Sequence, residues 1–157
     1  MTYVATAYPP LTSVYSNNMP ILRQQFARPG LSPSFLYDFD AVELRVQRNG
    51  RYHFQSNNTI RLCGYLYKNS FNPRNSSLNL INSYANDLGV YVFAFIQELE
   101  SNETYILVVS SSFYGSQSRS YSIMAVGPSM ISFQSINFSS PSTSKYFKYK
   151  NILNTDF

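Results

Sequence analysis

The feature that most constrains the fold is a two-residue alternation of apolar and polar side chains, which begins near Asp40 and recurs along the chain. In its first run Val42, Leu44 and Val46 alternate with polar neighbours, and this pattern gives a β-strand one apolar face. No window of about eleven residues keeps its apolar positions three and four apart, the spacing that a helix requires. The sequence therefore predicts an all-β chain.

Turn signals divide the alternating runs into short strands. Asn49-Gly50 is typical of a tight hairpin, and further strands are expected over 60–67, 90–96, 104–110, 121–126 and 130–138. About seven to nine strands in one domain favour an antiparallel β-sandwich of the jelly-roll kind, and a single sheet closed on itself also fits. The nearly continuous apolar run 90–96 predicts a central strand that is buried on both faces.

The length of 157 residues suits one ordinary domain. The first 30 residues contain four prolines and no regular apolar period, so residues 1–35 are expected to form an extended N-terminal segment. The β-sandwich is expected over residues 36–138. Residues 139–157 are expected to form a C-terminal tail or an edge segment.

Composition excludes several broad classes. Hydrophobic residues make up 44% and aromatic residues 17% of the chain, too much apolar material for a disordered segment. No apolar run approaches the roughly 18 residues of a membrane span, and the N-terminal residues lack the pattern of a signal peptide, so export would be encoded elsewhere. Cys63 is the only cysteine, which leaves no internal disulfide, and its apolar surroundings predict a buried thiol.

The charge distribution predicts no nucleic-acid partner. Twelve lysines and arginines against eight acidic residues give a net charge of +4, without the dense basic patch that phosphate recognition needs. Lys145, Lys148 and Lys150 alternate with aromatic residues, as on a base-stacking platform. The same pattern is typical of an exposed strand or a solubilising tail.

Residues for histidine-based catalysis are few. His53 is the only histidine, its partners would be Ser56 with Asp38 or Asp40, and the chain contains no Gly-x-Ser-x-Gly motif. His53 is also out of phase with its apolar neighbours, so we expect it to face solvent. The sequence thus predicts no Ser-His-Asp site.

Asp38, Asp40 and Glu43 suggest a different enzyme class. Glycoside hydrolysis uses two carboxyl groups about 5 to 9.5 Å apart in one cleft. Asp38 and Asp40 would point to the same face of a strand, where a solvated edge or a turn usually explains them. A glycan-acting enzyme that uses Asp38 or Asp40 with Glu43 is therefore an alternative, and the main prediction is a chain without catalytic residues.

Asn86 and Asp87 lie in an oxygen-rich stretch that resembles a cation-binding loop. Calcium takes about 6 to 8 oxygen ligands, and a single carboxylate supplies little of the required charge, so an Asx-rich turn is the expected structure. The chain also contains no Gly-rich phosphate-binding motif. We therefore expect no cofactor, with calcium as the alternative.

The sequence offers four acceptor sites for N-glycosylation. These Asn-x-Ser/Thr sequons fall in or next to predicted loops, at Asn57, Asn75, Asn102 and Asn137. Because glycosylation requires an accessible asparagine, their placement is compatible with a secreted protein.

Tyrosines supply the candidate contact surface. The side chain combines an apolar ring with a hydroxyl group and is favoured at recognition surfaces. The candidates are Tyr65, Tyr67, Tyr84, Tyr91 and Tyr114. Tyr84 and Tyr114 fall in predicted loops, whereas Tyr67 and Tyr91 fit a position in the core equally well.

Several strings, in this order, resemble the pre-peptidase C-terminal family. They are NGRYHFQSNNTI, GYLYKNSFNPRNSSLNLI, ETYILVVSS and YSIMAVGP, and they are similar in particular to a divergent, repeated version of the module in large secreted or surface proteins. The resemblance implies a jelly-roll sandwich without catalytic residues. Arg61 stands where the family commonly has an acidic residue, and only Asp87 remains of an acidic loop, so the resemblance implies a degenerate cation site.

These observations predict a non-catalytic module of an extracellular or cell-surface protein. Its role would be adhesion, recognition of a glycan or a protein, or spacing within a larger multidomain chain. A self-assembling structural subunit, as in a capsid or a filament, is the alternative from another class, because a surface rich in Ser, Asn and Tyr suits contact between copies.

Overall fold

The computed structural model of the chain describes residues 9–19, 24–57, 61–85, 92–111 and 120–138. Within these ranges the chain forms ten β-strands and no helix. The strands are β1 Leu11–Asn18, β2 Gln25–Ala27, β3 Leu36–Val46, β4 Gly50–Ser56, β5 Leu62–Lys68, β6 Leu80–Tyr84, β7 Ala94–Leu99, β8 Tyr105–Ser111, β9 Ser120–Gly127 and β10 Ile131–Ile136. The predicted all-β class is confirmed.

The strands form two separate antiparallel sheets. The four-stranded sheet has the order β1-β9-β4-β7, and the six-stranded sheet has the order β10-β3-β8-β5-β6 with β2 also paired to β3. Apart from β2 and β10, the strands pair in a nested way: β1 with β9, β3 with β8, β4 with β7 and β5 with β6. A long hairpin that rolls up on itself produces this nesting, so the sandwich is a jelly roll as predicted.

The sandwich begins earlier than residue 36, where the sequence predicted its start. Strand β1 pairs with β9 over its full length, and β2 pairs with the first residues of β3. Two residues of β1, Ser13 and Tyr15, turn toward the interior. Only one face of β1 is buried, and because its outward residues are mostly polar the segment looks like a linker in sequence. The predicted tail over residues 139–157 lies outside the described residues.

Two strands in the middle of the chain also differ from the prediction. Residues 80–84 form strand β6 beside β5, although the sequence indicated a loop from Asn82 onward. Strand β7 is not central: it begins at Ala94 and forms one edge of the four-stranded sheet, with only one buried face. Its outward apolar side chains, Ala94 and Ile96, therefore reach solvent instead of a second core.

The main hydrophobic core lies between the two sheets. Its larger members come from facing strands: Val42, Leu44, Tyr52, Phe54, Leu66, Phe93, Phe95, Tyr105, Leu107 and Ile123. Burial of these side chains contributes about 25 cal/mol per Å² of apolar area. This core accounts for the period of two in β4 and β9, whose alternate residues are buried.

A second core covers the outer face of the six-stranded sheet. Phe39, Tyr65, Tyr67 and Ile106 point outward from β3, β5 and β8, and Phe71 packs on them from the loop after β5. Phe26 of β2 also joins this aromatic cluster, with its ring centroid 5.8 Å from that of Phe71. Strands β3, β5 and β8 are consequently buried on both faces.

A tight contact fixes one end of the four-stranded sheet. The Tyr52 hydroxyl donates to the Arg48 carbonyl at 2.8 Å and lies 2.7 Å from the Ser129 hydroxyl. The Tyr52 ring lies directly against Gly127, where any side chain would overlap it. The β3–β4 and β9–β10 connections are thereby held together. The predicted hairpin at Asn49-Gly50 is wrong, because β3 and β4 belong to different sheets and the turn leads the chain from one sheet to the other. No described segment forms a helix long and apolar enough to cross a membrane.

Candidate functional site

The outer face of the four-stranded sheet is the largest sheet surface that no described segment covers. Residues directly opposite each other on neighbouring antiparallel strands point to the same face. The strand registers therefore align two rows across the sheet, Val14–Met124–Gln55–Ala94 and Thr12–Val126–His53–Ile96. We call this surface the open face.

The open face exposes aliphatic side chains at positions where a solvated sheet would carry polar ones. Val14 is 62% and Ile96 is 55% exposed, and Met124 and Val126 between them are half-buried. Sequence reasoning missed these residues, because it treated β1 as a linker and the run that contains Ile96 as a buried strand. The sequence does contain one signal: residues 90–96 are more apolar than an edge strand with one buried face requires.

A shallow depression of about 350 Å³ lies at one end of the open face. It is lined by Pro10, Arg51, His53, Ile96, Val126, Gly127 and Pro128. His53 is half-buried on the outer face of β4, as its phase predicted. Arg51 and Glu98 form an ion pair with a nitrogen to oxygen distance of 3.2 Å, and both side chains are well exposed, so the pair contributes little stability.

The structure does not bring together the residues considered for a Ser-His-Asp site. His53 points outward from β4, whereas Ser56 is fully buried and its hydroxyl accepts a hydrogen bond from the Phe93 amide at 3.0 Å. Asp38 and Asp40 lie on β3 in the other sheet. These side chains therefore have separate surroundings.

The carboxylates considered for glycan hydrolysis are also separated. Glu43 is an odd number of residues from Asp38 and Asp40 along β3, so it lies on the opposite face of that strand. It pairs there with Arg45 at 2.8 Å. The predicted combination of Asp38 or Asp40 with Glu43 therefore fails, because the sheet itself separates the two carboxyl groups.

Asp40 ties the two sheets together, although the sequence suggested a solvated edge or a turn. Its side chain is only 7% exposed. The Oδ2 atom accepts hydrogen bonds from the Asn17 amide at 2.8 Å, from the Tyr15 hydroxyl at 3.2 Å, and from the Tyr121 hydroxyl. Tyr15 and Asn17 lie on β1 and Tyr121 on β9, so we call this group the Asp40 tie. Three donors on one oxygen offset part of the cost of burying a carboxylate.

Burial raises the pKa of four tyrosine side chains, two in the Asp40 tie and two in the second core. Burial first, and then the negative charge of Asp40, raise the pKa of the Tyr121 and Tyr15 phenols. Burial in the second core likewise raises the pKa of Tyr65 and Tyr67. All four phenols therefore remain neutral in the folded chain at physiological pH.

The prediction that Tyr65 and Tyr67 form a contact patch is wrong. Their side chains are 1% and 0% exposed, because β2 and the loop after β5 cover them. The Tyr65 hydroxyl accepts a hydrogen bond from Arg28 Nε at 2.7 Å, and the Tyr67 hydroxyl donates to the Ser76 carbonyl at 2.7 Å.

The remaining tyrosine candidates have other outcomes. Tyr84 is partly buried and packs against the main core. Tyr91 and Tyr114 lie outside the described residues.

The cation and thiol predictions have different outcomes. Asn86 and Asp87 lie outside the described residues. In the part of the chain that is described, no three His, Cys, Asp or Glu side chains gather as metal ligands. Cys63 is fully buried in β5, which confirms the prediction for its thiol.

All four sequon asparagines are exposed. Asn57, Asn75, Asn102 and Asn137 each lie between or after strands. None of them belongs to a strand of the four-stranded sheet, and Asn57 directly follows β4.

Comparisons with known proteins give no relative for this chain. No protein-family model matches it, no curated protein matches it, and no solved structure matches it. The resemblance to the pre-peptidase C-terminal family therefore stays a prediction.

We predict that the Asp40 tie contributes more stability than the equally buried Asp38, which accepts one hydrogen bond from exposed Gln25 at 3.1 Å. Asp40→Ala should lower the free energy of unfolding by about 2 to 3 kcal/mol, because it leaves buried donors without an acceptor. Asp38→Ala should cost below about 1 kcal/mol. Urea unfolding of both variants measures the difference, and equal losses would contradict the tie.

We also predict alkaline unfolding driven by buried phenols. Tyr65, Tyr67 and Tyr121 have pKa values raised above the ordinary value of 10.0. Above that pH the unfolded chain loses these protons and the folded chain retains them. Stability should then fall by about 1.4 kcal/mol per pH unit for each phenol, or about 4 kcal/mol for all three.

Absorbance of phenolate at 295 nm and far-UV circular dichroism measure this alkaline transition together. Exposed tyrosines should ionise first, and a second, cooperative rise in absorbance should coincide with loss of the β-sheet signal. Tyr121→Phe should reduce the dependence of stability on pH above 10. Ionisation of every tyrosine without loss of sheet structure would contradict the prediction.

Proposed function

We propose that this chain is a non-catalytic jelly-roll module that binds another protein through the open face, within an extracellular or cell-surface protein. The observation that carries the proposal is the set of aliphatic side chains on that face, above all Val14 in one row and Ile96 in the other, which are more than half exposed. Contiguous exposed apolar groups bordered by polar ones are typical of protein interaction sites. The nearby Arg51–Glu98 pair supplies a polar rim.

The chemistry of the open face favours a protein over a glycan. A sugar ring presents C–H groups that pack on the electron-rich face of an aromatic ring. Among the described residues, the outward side chains of the four strands include no Phe, Tyr or Trp: Thr12, Val14, Ser16, Asn18, Arg51, His53, Gln55, Ala94, Ile96, Glu98, Ser120, Ser122, Met124 and Val126. Aliphatic and methionine side chains instead match the apolar anchors of a protein partner.

Two further observations support an extracellular module. The four sequon asparagines are all exposed, and the sequence resembles modules of large secreted proteins. The absence of a cleft that unites Asp38 or Asp40 with Glu43 also weakens the one enzymatic alternative that the sequence raised.

Binding to intact cells of the source organism tests the proposal. The chain, biotinylated and assembled on fluorescent streptavidin, should bind these cells, and Ile96→Lys should weaken binding about tenfold or more because it places a charge in an apolar contact. Ile81→Lys is the matched control: Ile81 is 39% exposed on β6 of the other sheet, so this variant should bind as the unmodified chain does. Unfolding curves of both variants establish that they fold.

Treatment of the cells identifies the class of partner. Protease treatment should abolish binding, and removal of surface glycans by glycosidases should leave it intact. Loss of binding after glycosidase treatment would contradict the choice of a protein partner. Equal binding of Ile96→Lys, or no binding by the unmodified chain, would contradict the open face as the site.

We further predict that the four sequons accept glycans when the chain is secreted. The chain, fused to a signal peptide and produced in a eukaryotic host, should carry extra mass that peptide N-glycosidase F removes. Each of the changes Asn57→Gln, Asn75→Gln, Asn102→Gln and Asn137→Gln should remove one glycan, because each asparagine is exposed. A secreted chain without glycans would contradict the prediction.

A further inference from the structure

Among the described residues, strand β1 forms an edge of the four-stranded sheet that lacks the usual protections against strand pairing. Natural edge strands carry charges, prolines or bulges, or are very short. The eight residues of β1, LTSVYSNN, include no charge and no proline. Their register with β9 runs from Leu11–Gly127 to Asn18–Ser120 without a shift. The edge is therefore long, regular and uncharged.

The opposite edge of the same sheet is protected. The Asn82 amide donates to the Ile96 carbonyl of β7 at 2.9 Å and to the Gln97 side chain at 3.1 Å. Glu98 adds a charge to that strand. This difference between the two edges indicates that β1, unlike β7, is shaped to receive another strand.

The surroundings of β1 carry apolar surface that a partner would cover. Three of the exposed large apolar side chains lie on this side of the sandwich: Leu11 at 42%, Val14 at 62% and Met130 at 48%. The Ser13 hydroxyl accepts a hydrogen bond from the Ile131 amide at 2.9 Å, which joins the first residue of β10 to β1. The side of the sandwich around β1 is thus one continuous surface.

We propose that two copies of the chain pair antiparallel through their β1 edges, with Val14 opposite the partner's Val14. The four-stranded sheets of the two copies must join with their outer faces on the same side. Only registers that place an outward residue of one β1 directly opposite an outward residue of the other are therefore allowed. The register centred on Val14 places the two exposed valines in contact and pairs Thr12 with the partner's Ser16. A register centred on Tyr15 would oppose Val14 to a serine, which is a poorer cross-strand pair.

A second copy fits this edge better than an unrelated peptide. Antiparallel pairing of a strand with itself is two-fold symmetric, so both copies use the same surface. The edge offers no charge that would select a charged peptide, and it brings no like charges together when it meets itself. Pairing would create one continuous eight-stranded sheet and place two open faces side by side, which strengthens binding to a multivalent surface.

Sedimentation equilibrium of the full chain tests the pairing. The unmodified chain should associate to a dimer, and Val14→Lys should raise the dissociation constant of that dimer about tenfold or more, because two lysines would then face each other. Ile96→Lys is the matched control, at similar exposure on the opposite edge of the same sheet, and should leave the constant within about twofold.

Cysteine cross-linking tests the register. In the proposed dimer the two Val14 Cα atoms lie about 4.5 to 5.5 Å apart, within the span of a disulfide, so Val14→Cys should cross-link under mild oxidation. The two Ser16 Cα atoms would lie about 13 Å apart, so Ser16→Cys should not. The natural Cys63 is fully buried and remains in both variants.

Four results would overturn the proposal. They are a chain that remains monomeric at millimolar concentration, a dimer that Val14→Lys leaves unchanged, preferential cross-linking through Ser16→Cys, and a monomer in which the β1 amides that do not bond to β9 are protected from hydrogen exchange. The last result would mean that another segment of the same chain occupies the edge. Cell binding that depends on Ile96 is measured separately, so failure of the dimer and failure of the proposed protein-binding function are distinguishable.

Discussion

The unequal burial of the two sheets is the constraint on which the rest of the structure depends. The six-stranded sheet has apolar cores on both faces, since Phe26 and Phe71 close an aromatic cluster over its outer side. The four-stranded sheet contributes only to the core between the sheets. Because the outer side of the six-stranded sheet is already occupied, the open face is the sheet surface that the described residues leave uncovered. The covering elements thus determine which face is available to the partner that we propose, although they contribute nothing to that face.

The Asp40 tie explains how a mostly polar strand holds its place in the sandwich. Strand β1 buries few large side chains, but Tyr15 and Asn17 both donate to the Asp40 carboxylate of the other sheet. A buried carboxylate is rarely the most stable solution, and an apolar replacement can be as stable. The Asp40 carboxylate does, however, require that its hydrogen-bond donors occupy defined positions. A shift of β1 by one residue would turn Tyr15 and Asn17 to the opposite face of the sheet. The tie therefore selects the register of β1.

The sequence was sufficient for the fold class and for strands with one buried face. The alternation in β4 and β9 predicted strands with one buried face. The turn at Asn49-Gly50 is present, and Gly50 has the positive φ of 150° that a glycine accommodates. It connects the two sheets and does not close the predicted hairpin, because β3 and β4 pair with other strands in different sheets. The tyrosines of β5 could not be assigned in this way, because apolar and aromatic residues occupy both of its faces. Their burial depends on Phe26, which is distant in sequence, and on Phe71 of the loop after β5, which folds back over the strand, so the alternation within β5 does not report it. Ile96 shows the opposite case, an apolar residue in an apolar run that the fold leaves at the surface.

The same residues that hold β1 in the sandwich also prepare its free edge for a partner. Association must compensate for the loss of conformational freedom at the interface, and that loss is smaller when the binding segment is already ordered. Strand β1 is ordered by its pairing with β9 along its full length, by the Asp40 tie and by the Ser13–Ile131 hydrogen bond. A second copy would therefore meet a preformed strand. The contacts that make a linker-like sequence into a strand are thus the same contacts that make its edge able to pair.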